Sequence, residues 1–372
     1  MQEAVLFISP YPPPADGIAS HTRNIARELL GKYEVHIIAP GTTGSERVQE
    51  SLVVHRILNQ DDSEIIEQIN NIDPKWIFCQ FAISALGSGR RGAGVVIKEA
   101  VRLGIFCMVG YHEPTREIEA LPVLAKKYYQ EMIETGAYTI AFSKAAGETL
   151  KKELKSEAAI LWHGTRETES RETRVLEIQQ ECLDKPIILG LGFIHRDKGT
   201  HILVEAGREL SRMGVDFHLL IAGSVRERQG LFKINEWRDK IYYNKLKKRA
   251  QELGDRARFI PYVADEDLGS YMRSAAAIVL PYIKGTQSGV AGLVIGSKRG
   301  AIISELPGLV QQFGRAGRVY KNNDPKNLAR EIKKVLEEGS LVIDLAAEEI
   351  LSKENYAELA KKIDEIGLLR GA

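Results

Sequence analysis

An apolar run, Ile188-Leu189-Gly190-Leu191, ends at Gly192 and continues through Phe193-Ile194-His195-Arg196-Asp197-Lys198-Gly199 into a helical pattern over 200–210. Glycine at a strand end lets a ligand approach the backbone, the first turn of a helix offers unpaired N–H groups, and Arg196 and Lys198 add positive charge. That combination suits a phosphate. A helix terminus alone contributes about 0.3–1 kcal/mol toward an anion, so the two cations are needed for useful diphosphate affinity. An ordinary turn with solvated charges would have the same composition.

Further candidates follow other strand-like runs. Gly17 and Ile18 close a proline-rich loop, Pro12-Pro13-Pro14-Ala15-Asp16-Gly17, ahead of a helical pattern. The prolines stiffen it, and its backbone amides suit a phosphate or sugar; the plainer alternative is a rigid turn capped by Ser20. His112 and Glu113 emerge from a strand end before Pro114, where an imidazole could orient a sugar hydroxyl or move a proton, although such a histidine also serves structural hydrogen bonds. His163-Gly164 has a weaker claim of the same kind. In the second half, Gly223 ends one strand, and Tyr262 with Val263 ends the next, an apolar surface for a planar base. The segment Pro281 to Val290 places Gln287, Ser288, Gly289 and Val290 before a helix, where exposed amides would add a second phosphate contact or merely cap that helix.

Positioning these residues requires parallel sheets. Apolar runs over 5–9, 35–39, 76–81, 106–110, 138–142 and 159–162 alternate with amphipathic segments, and a second series follows at 187–191, 217–222, 258–260, 277–280, 301–304 and 318–320. Between them, 165–185 is too polar for a core and reads as a linker or exposed segment holding the domain junction. Two Rossmann-like domains in tandem are expected, with ligands beyond the carboxyl ends of the strands and a cleft between the domains as the default site. The 372 residues suffice for two cores, and 51 basic against 50 acidic side chains remove the global electrostatic case for nucleic acid. Cys79, Cys107 and Cys182 offer no metal-ligand spacing and fit a reducing cytoplasm. The chain opens directly into a strand, and no apolar run approaches membrane-spanning length, so neither a classical signal nor a spanning helix is expected.

Together these residues resemble the family-4 glycosyltransferases, group 1, over almost the whole chain. The proline-rich loop is similar to that family's N-terminal glycine loop. Gly192 with Lys198-Gly199 matches its Gly-Arg-x-x-x-x-Lys-Gly turn, Tyr262-Val263 its base-binding strand end, and His112 its cleft histidine. The resemblance implies an α/β chain of GT-B type, with two Rossmann-like domains whose parallel sheets face across a cleft. An acceptor domain is expected at 1–170, a nucleotide-sugar domain at 171–351, and a terminal helix within 352–372 that crosses back to the first domain. Three positions depart from the family. Phe193 stands where it has arginine, leaving that charge to Arg196, and its paired glutamates fall on Gln287 and Ile295. Isoleucine cannot accept hydrogen bonds from a ribose.

The implied activity is a retaining, metal-independent transfer of a hexose from a nucleotide diphosphate sugar to a hydroxyl acceptor, such as a glycan, a lipid-linked glycan or a small molecule. No cofactor beyond the donor substrate is expected. Lys198 and Arg196, with amides near Gly17 and Ser288, would stabilise the leaving diphosphate, while His112 and Gln287 position the sugar. The alternative is a catalytically silent GT-B protein that binds a sugar nucleotide or glycan as a partner subunit; a phosphorylase or sugar-nucleotide epimerase is a third reading. Lys126, Lys127, Tyr128 and Tyr129 within 121–132, and the basic cluster at 245–249, suit a weak peripheral contact with anionic lipid at the inner membrane face or, more plainly, a solvated helix surface.

Overall fold

The computed structural model describes residues 2–13, 17–226, 233–261, 263–285 and 288–370. The chain divides into two compact units, Met1–Gly164 with Glu354–Ala372, and Thr165–Lys353.

The first unit is built on eight strands: β1 (Ala4–Ile8), β2 (Glu34–Ile38), β3 (Gly44–Gln49), β4 (Leu52–Arg56), β5 (Trp76–Phe81), β6 (Phe106–Tyr111), β7 (Tyr138–Ala141) and β8 (Ala159–Ile160). Their order is β3-β4-β2-β1-β5-β6-β7-β8, parallel except for the antiparallel edge strand β3. Apolar runs without polar alternation become central strands because helices cover both faces. Along β1, Val5 and Phe7 enter one core and Leu6 and Ile8 the other. The β3–β4 hairpin lies outside the expected strand series. Its outer strand, Gly44–Gln49, is polar and exposed, as an edge permits.

The second unit carries β9 (Ile187–Leu191), β10 (His218–Ala222), β11 (Ala257–Ile260), β12 (Ala277–Leu280), β13 (Ala301–Ser304) and β14 (Gly317–Tyr320) in the order β11-β10-β9-β12-β13-β14, all parallel. Both sheets reverse direction once, between β1 and β5 in the first unit and between β9 and β12 in the second. Crevices for ligands open at such switch points, beyond the carboxyl ends of the strands.

The polar stretch 165–185, expected as a linker or exposed segment, is an exposed segment belonging to the second unit, whose boundary lies at Gly164/Thr165. Thr168 N–H donates to the Gly296 carbonyl at 2.8 Å, and a methyl group on Gly296 or Gly269 would lie 1.9 Å from the carbonyl oxygen of Arg166 or Glu169 respectively. The helix Glu172–Glu181 then buries Val175 and Ile178, while Arg174 pairs with Glu177 and Glu181 and stacks on Tyr271. Polarity here marks a solvated outer face over a thin apolar seam. At the other end, the helix Leu341–Lys353 belongs to the second unit and Tyr356–Arg370 to the first. In the latter helix Tyr356, Leu359, Ala360 and Ile363 enter the first unit's core, and Asp364 accepts hydrogen bonds from Lys32 (2.5 Å) and Tyr33 (2.7 Å). Among the described residues no helix is long and apolar enough to cross a membrane.

Candidate functional site

In the second unit, the turn after β9 packs against the end of β12 at the switch point. Gly192 N–H donates to the Ala222 carbonyl (3.0 Å) and Ile194 N–H to that of Ser224 (2.9 Å), so the turns after β9 and β10 run side by side. Their approach leaves no room for side chains: a methyl group on Gly223 would stand 1.9 Å from the Gly192 carbonyl oxygen. Arg196–Lys198 forms one tight helical turn, and Gly199 adopts φ 64° to begin the helix Thr200–Arg212. A methyl group there would lie 1.8 Å from the Pro281 carbonyl oxygen, while Ile283 N–H donates to the Asp197 carbonyl at 2.8 Å. Only glycine fits a position that combines positive φ with such proximity.

This clamp fixes Lys198. Its ammonium lies 3.6 Å from the centroid of the Tyr282 ring, and among the described residues it makes no ion pair. A half-buried ammonium at a helix start, held by an aromatic face and lacking a carboxylate, is disposed to take an anion. Tyr282 also shares a hydrogen bond with Ser288 Oγ at 2.8 Å. Arg196 points outward and is exposed.

Of its two expected roles, Ser288 takes that of helix cap. Its N–H donates to the Gln312 side-chain oxygen (3.2 Å), whose amide donates back to the Ser288 carbonyl (3.0 Å). With Ser288 buried and capping the helix Gly289–Gly296 through Ala291 N–H, its amide is committed to the fold, leaving Gly289 and Val290 to head the helix. Ile295 lies in the core, 1% exposed. Val263 is partly buried against that same core. Tyr262 and Gln287 lie outside the described residues. Beside Phe193, where the resemblance expects arginine, the Arg226 guanidinium lies 5.8 Å from the ring centroid. Arg226 and Gln312 had no signal in local spacing, and Tyr282, within the segment 281–290, had none for its place beside Lys198, since three separate segments contribute them.

In the first unit, Gly17 and Ile18 begin the helix Gly17–Leu29; part of the preceding loop, 14–16, lies outside the described residues. Arg56, on the hairpin that the strand pattern did not anticipate, anchors the loop by donating to the carbonyls of Tyr11 (3.2 Å) and Pro12. His112 follows β6 and is buried. Its Nε2 lies 2.6 Å from Gln80 Oε1, which is also 3.1 Å from His21 Nδ1. The His163 ring packs 4.0 Å from that of His21. Desolvation holds His21 and His112 well below the ordinary histidine pKa and His163 at about 4, so all three are neutral near pH 7. Glu113 stands apart, half-buried near Arg116.

Residues 185–338 match the family model described as Glycosyl transferases group 1. By sequence, no curated protein matches the chain. Among solved structures, sucrose-phosphate synthase from Thermosynechococcus elongatus superposes with a TM-score of 0.78 at 16% identity, covering 98% of each chain. Anabaena HepE, solved in complex with UDP, gives 0.75 at 13% identity, covering 98% of this chain and 99% of its own. A glycosyltransferase from Rickettsia africae gives 0.74 at 15%, covering 100% of each. The chain has the GT-B fold, and its residues 185–338 are similar to the group 1 glycosyltransferases.

Proposed function

We propose that the protein transfers a hexose, with retention at C1, from a nucleotide diphosphate sugar to a hydroxyl acceptor, and that no metal is needed at the diphosphate. The observation that carries this reading is Lys198: an ammonium without an ion pair among the described residues, fixed on the Tyr282 ring at a switch point. The C1–O bond breaks with its electron pair leaving on the diphosphate. The acceptor oxygen then bonds C1, and its proton passes to the released phosphate. Lys198 and Arg196, with the amides at Gly289 and Val290, act on the charge that develops on the leaving group. His112 and Gln287 orient the sugar. Anabaena HepE has been solved with UDP and glucose and with UDP-glucose, which makes UDP-glucose the first donor to test.

Calorimetric titration with UDP, UDP-glucose and other sugar nucleotides, beside a donor-turnover assay, tests the reading. Lys198→Ala is expected to lower turnover about 10²–10³-fold, the effect of removing one oriented donor, with wild-type circular dichroism. Unchanged turnover would refute the assigned role. Ile295, buried where the family has a carboxylate, favours a second reading, a silent subunit that binds the donor; donor binding without transfer or hydrolysis would select it.

A glycan, a lipid-linked glycan or a small molecule is the proposed acceptor class. The helix Pro122–Ile133 and its N-cap Leu121 present Val123, 87% exposed, with Leu121, Leu124 and the exposed Lys127, which lies 3.9 Å from Glu131, while Lys126 pairs with Glu153. An apolar ridge with basic flanks suits weak docking on anionic lipid. Flotation with phosphatidylserine vesicles should recover the wild type and lose Val123→Asp; absence of binding by the wild type removes this element.

A further inference from the structure

Three imidazoles converge at the switch point of the first unit. His21 lies on the helix that follows β1, His112 follows β6, and His163 follows β8; one ring nitrogen of each lies within 4.8 Å of those of the other two. Their hydrogen bonds set the tautomers. An amide oxygen only accepts, so Gln80 Oε1 takes the Nδ1 proton of His21 and the Nε2 proton of His112. His163 Nδ1 faces the Gly164 carbonyl at 3.4 Å and donates to it. Each ring keeps one lone pair: Nε2 of His21, Nδ1 of His112 and Nε2 of His163.

A second observation points to a ligand. His21 is 1% exposed, and its Nε2 is buried with no hydrogen-bond partner. Buried polar atoms are rarely left so, because the uncompensated loss of water costs about 1–3 kcal/mol. We infer that His21, His112 and His163 form a binding site for a late first-row divalent metal ion of the zinc type, with Gln80 and the Gly164 carbonyl as its outer supports. Neutral imidazoles whose other N–H is held by an oxygen are the form in which histidine binds zinc, cobalt or nickel. Zinc–nitrogen bonds of about 2.0–2.1 Å place tetrahedral ligands about 3.4 Å apart, and the three ring nitrogens here lie within 4.8 Å of one another. Three protein nitrogens leave a fourth position open to water or to a hydroxyl oxygen. Ligation would move any contact of His112 with a sugar to that position.

The inference concerns the first unit and does not rest on the glycosyltransferase reading. Chelator-stripped protein is titrated with cobalt(II), whose visible spectrum separates four-coordinate nitrogen ligation from octahedral water, and then with competing zinc. One four-coordinate cobalt per chain, displaced by zinc, is expected. Gln80→Leu should weaken binding about 10–100-fold, and His163→Asn by at least that much, both with wild-type circular dichroism. An octahedral spectrum, a cobalt–thiolate band, or affinity unchanged in His163→Asn overturns the site. If a variant fails to fold, the wild-type spectrum and stoichiometry decide.

Discussion

Gly199 joins two tasks in one residue: it closes the Arg196–Lys198 turn onto the helix Thr200–Arg212, and it admits the Pro281 carbonyl. A left-handed conformation costs a non-glycine residue about 1–2 kcal/mol, and the added methyl would lie 1.8 Å from that oxygen, so Gly199→Ala should destabilise the second unit by more than φ alone predicts. Denaturant unfolding measures this, and nucleotide titration should show weaker binding in whatever fraction folds. Tyr282 separates ring from hydroxyl. Tyr282→Phe keeps the face under Lys198 and loses the bond to Ser288, a cost of about 0.5–1.5 kcal/mol in stability with donor affinity nearly unchanged. Tyr282→Leu removes the face as well, and calorimetry should register weaker binding. The turn itself could be read from sequence because Gly192, Lys198 and Gly199 are local and chemically distinctive. Arg226, Tyr282 and Gln312 could not, because only the sheet order brings their segments beside the turn; nor does spacing reveal that Gln312 takes the Ser288 amide.

At the scale of elements, the central strands were plain in the sequence because burial on both faces demands unbroken apolar runs. The helix Glu172–Glu181 was hidden because Val175 and Ile178 are its buried positions and polar residues with the exposed Leu176 cover the rest. Its anchor is nonetheless large: Ile178→Ala should destabilise the second unit by about 2–5 kcal/mol, read as a lower denaturation midpoint. The β3–β4 hairpin was missed because β3 is polar and antiparallel, yet it supplies Arg56 to the proline-rich loop. It also buries His55, whose Nε2 meets His36 (3.0 Å) and whose Nδ1 meets Ser45 (2.6 Å). Burial and the neighbouring His36 depress its pKa to about 4. Above pH 6.5 both folded and unfolded forms are neutral. Below it the unfolded chain binds a proton here that the folded one refuses, so His55 alone lowers stability by about 1.4 kcal/mol per pH unit down to about pH 4, and the buried His21, His112 and His163 add to the fall. Denaturation of the first unit at pH 7 and pH 5 should show the loss, and His55→Gln should reduce it.

At the scale of the whole molecule, the helix Tyr356–Arg370 contributes Tyr356, Leu359, Ala360 and Ile363 to a core begun by residues near the opposite end of the sequence. Buried apolar side chains are each worth about 1.5–3 kcal/mol, a sum comparable to the stability of a domain. Deleting 354–372 should therefore leave the first unit without cooperative unfolding while the second retains its own, as hydrogen exchange resolved by peptide would show. In terms of connectivity, the second unit is an insertion: one uninterrupted stretch set inside a host whose two pieces flank it. A ribosome releases such a chain in an unusual order. The inserted unit can close as soon as 165–353 has emerged, whereas its host, though begun first, must wait with an open core until the stretch after 354 arrives.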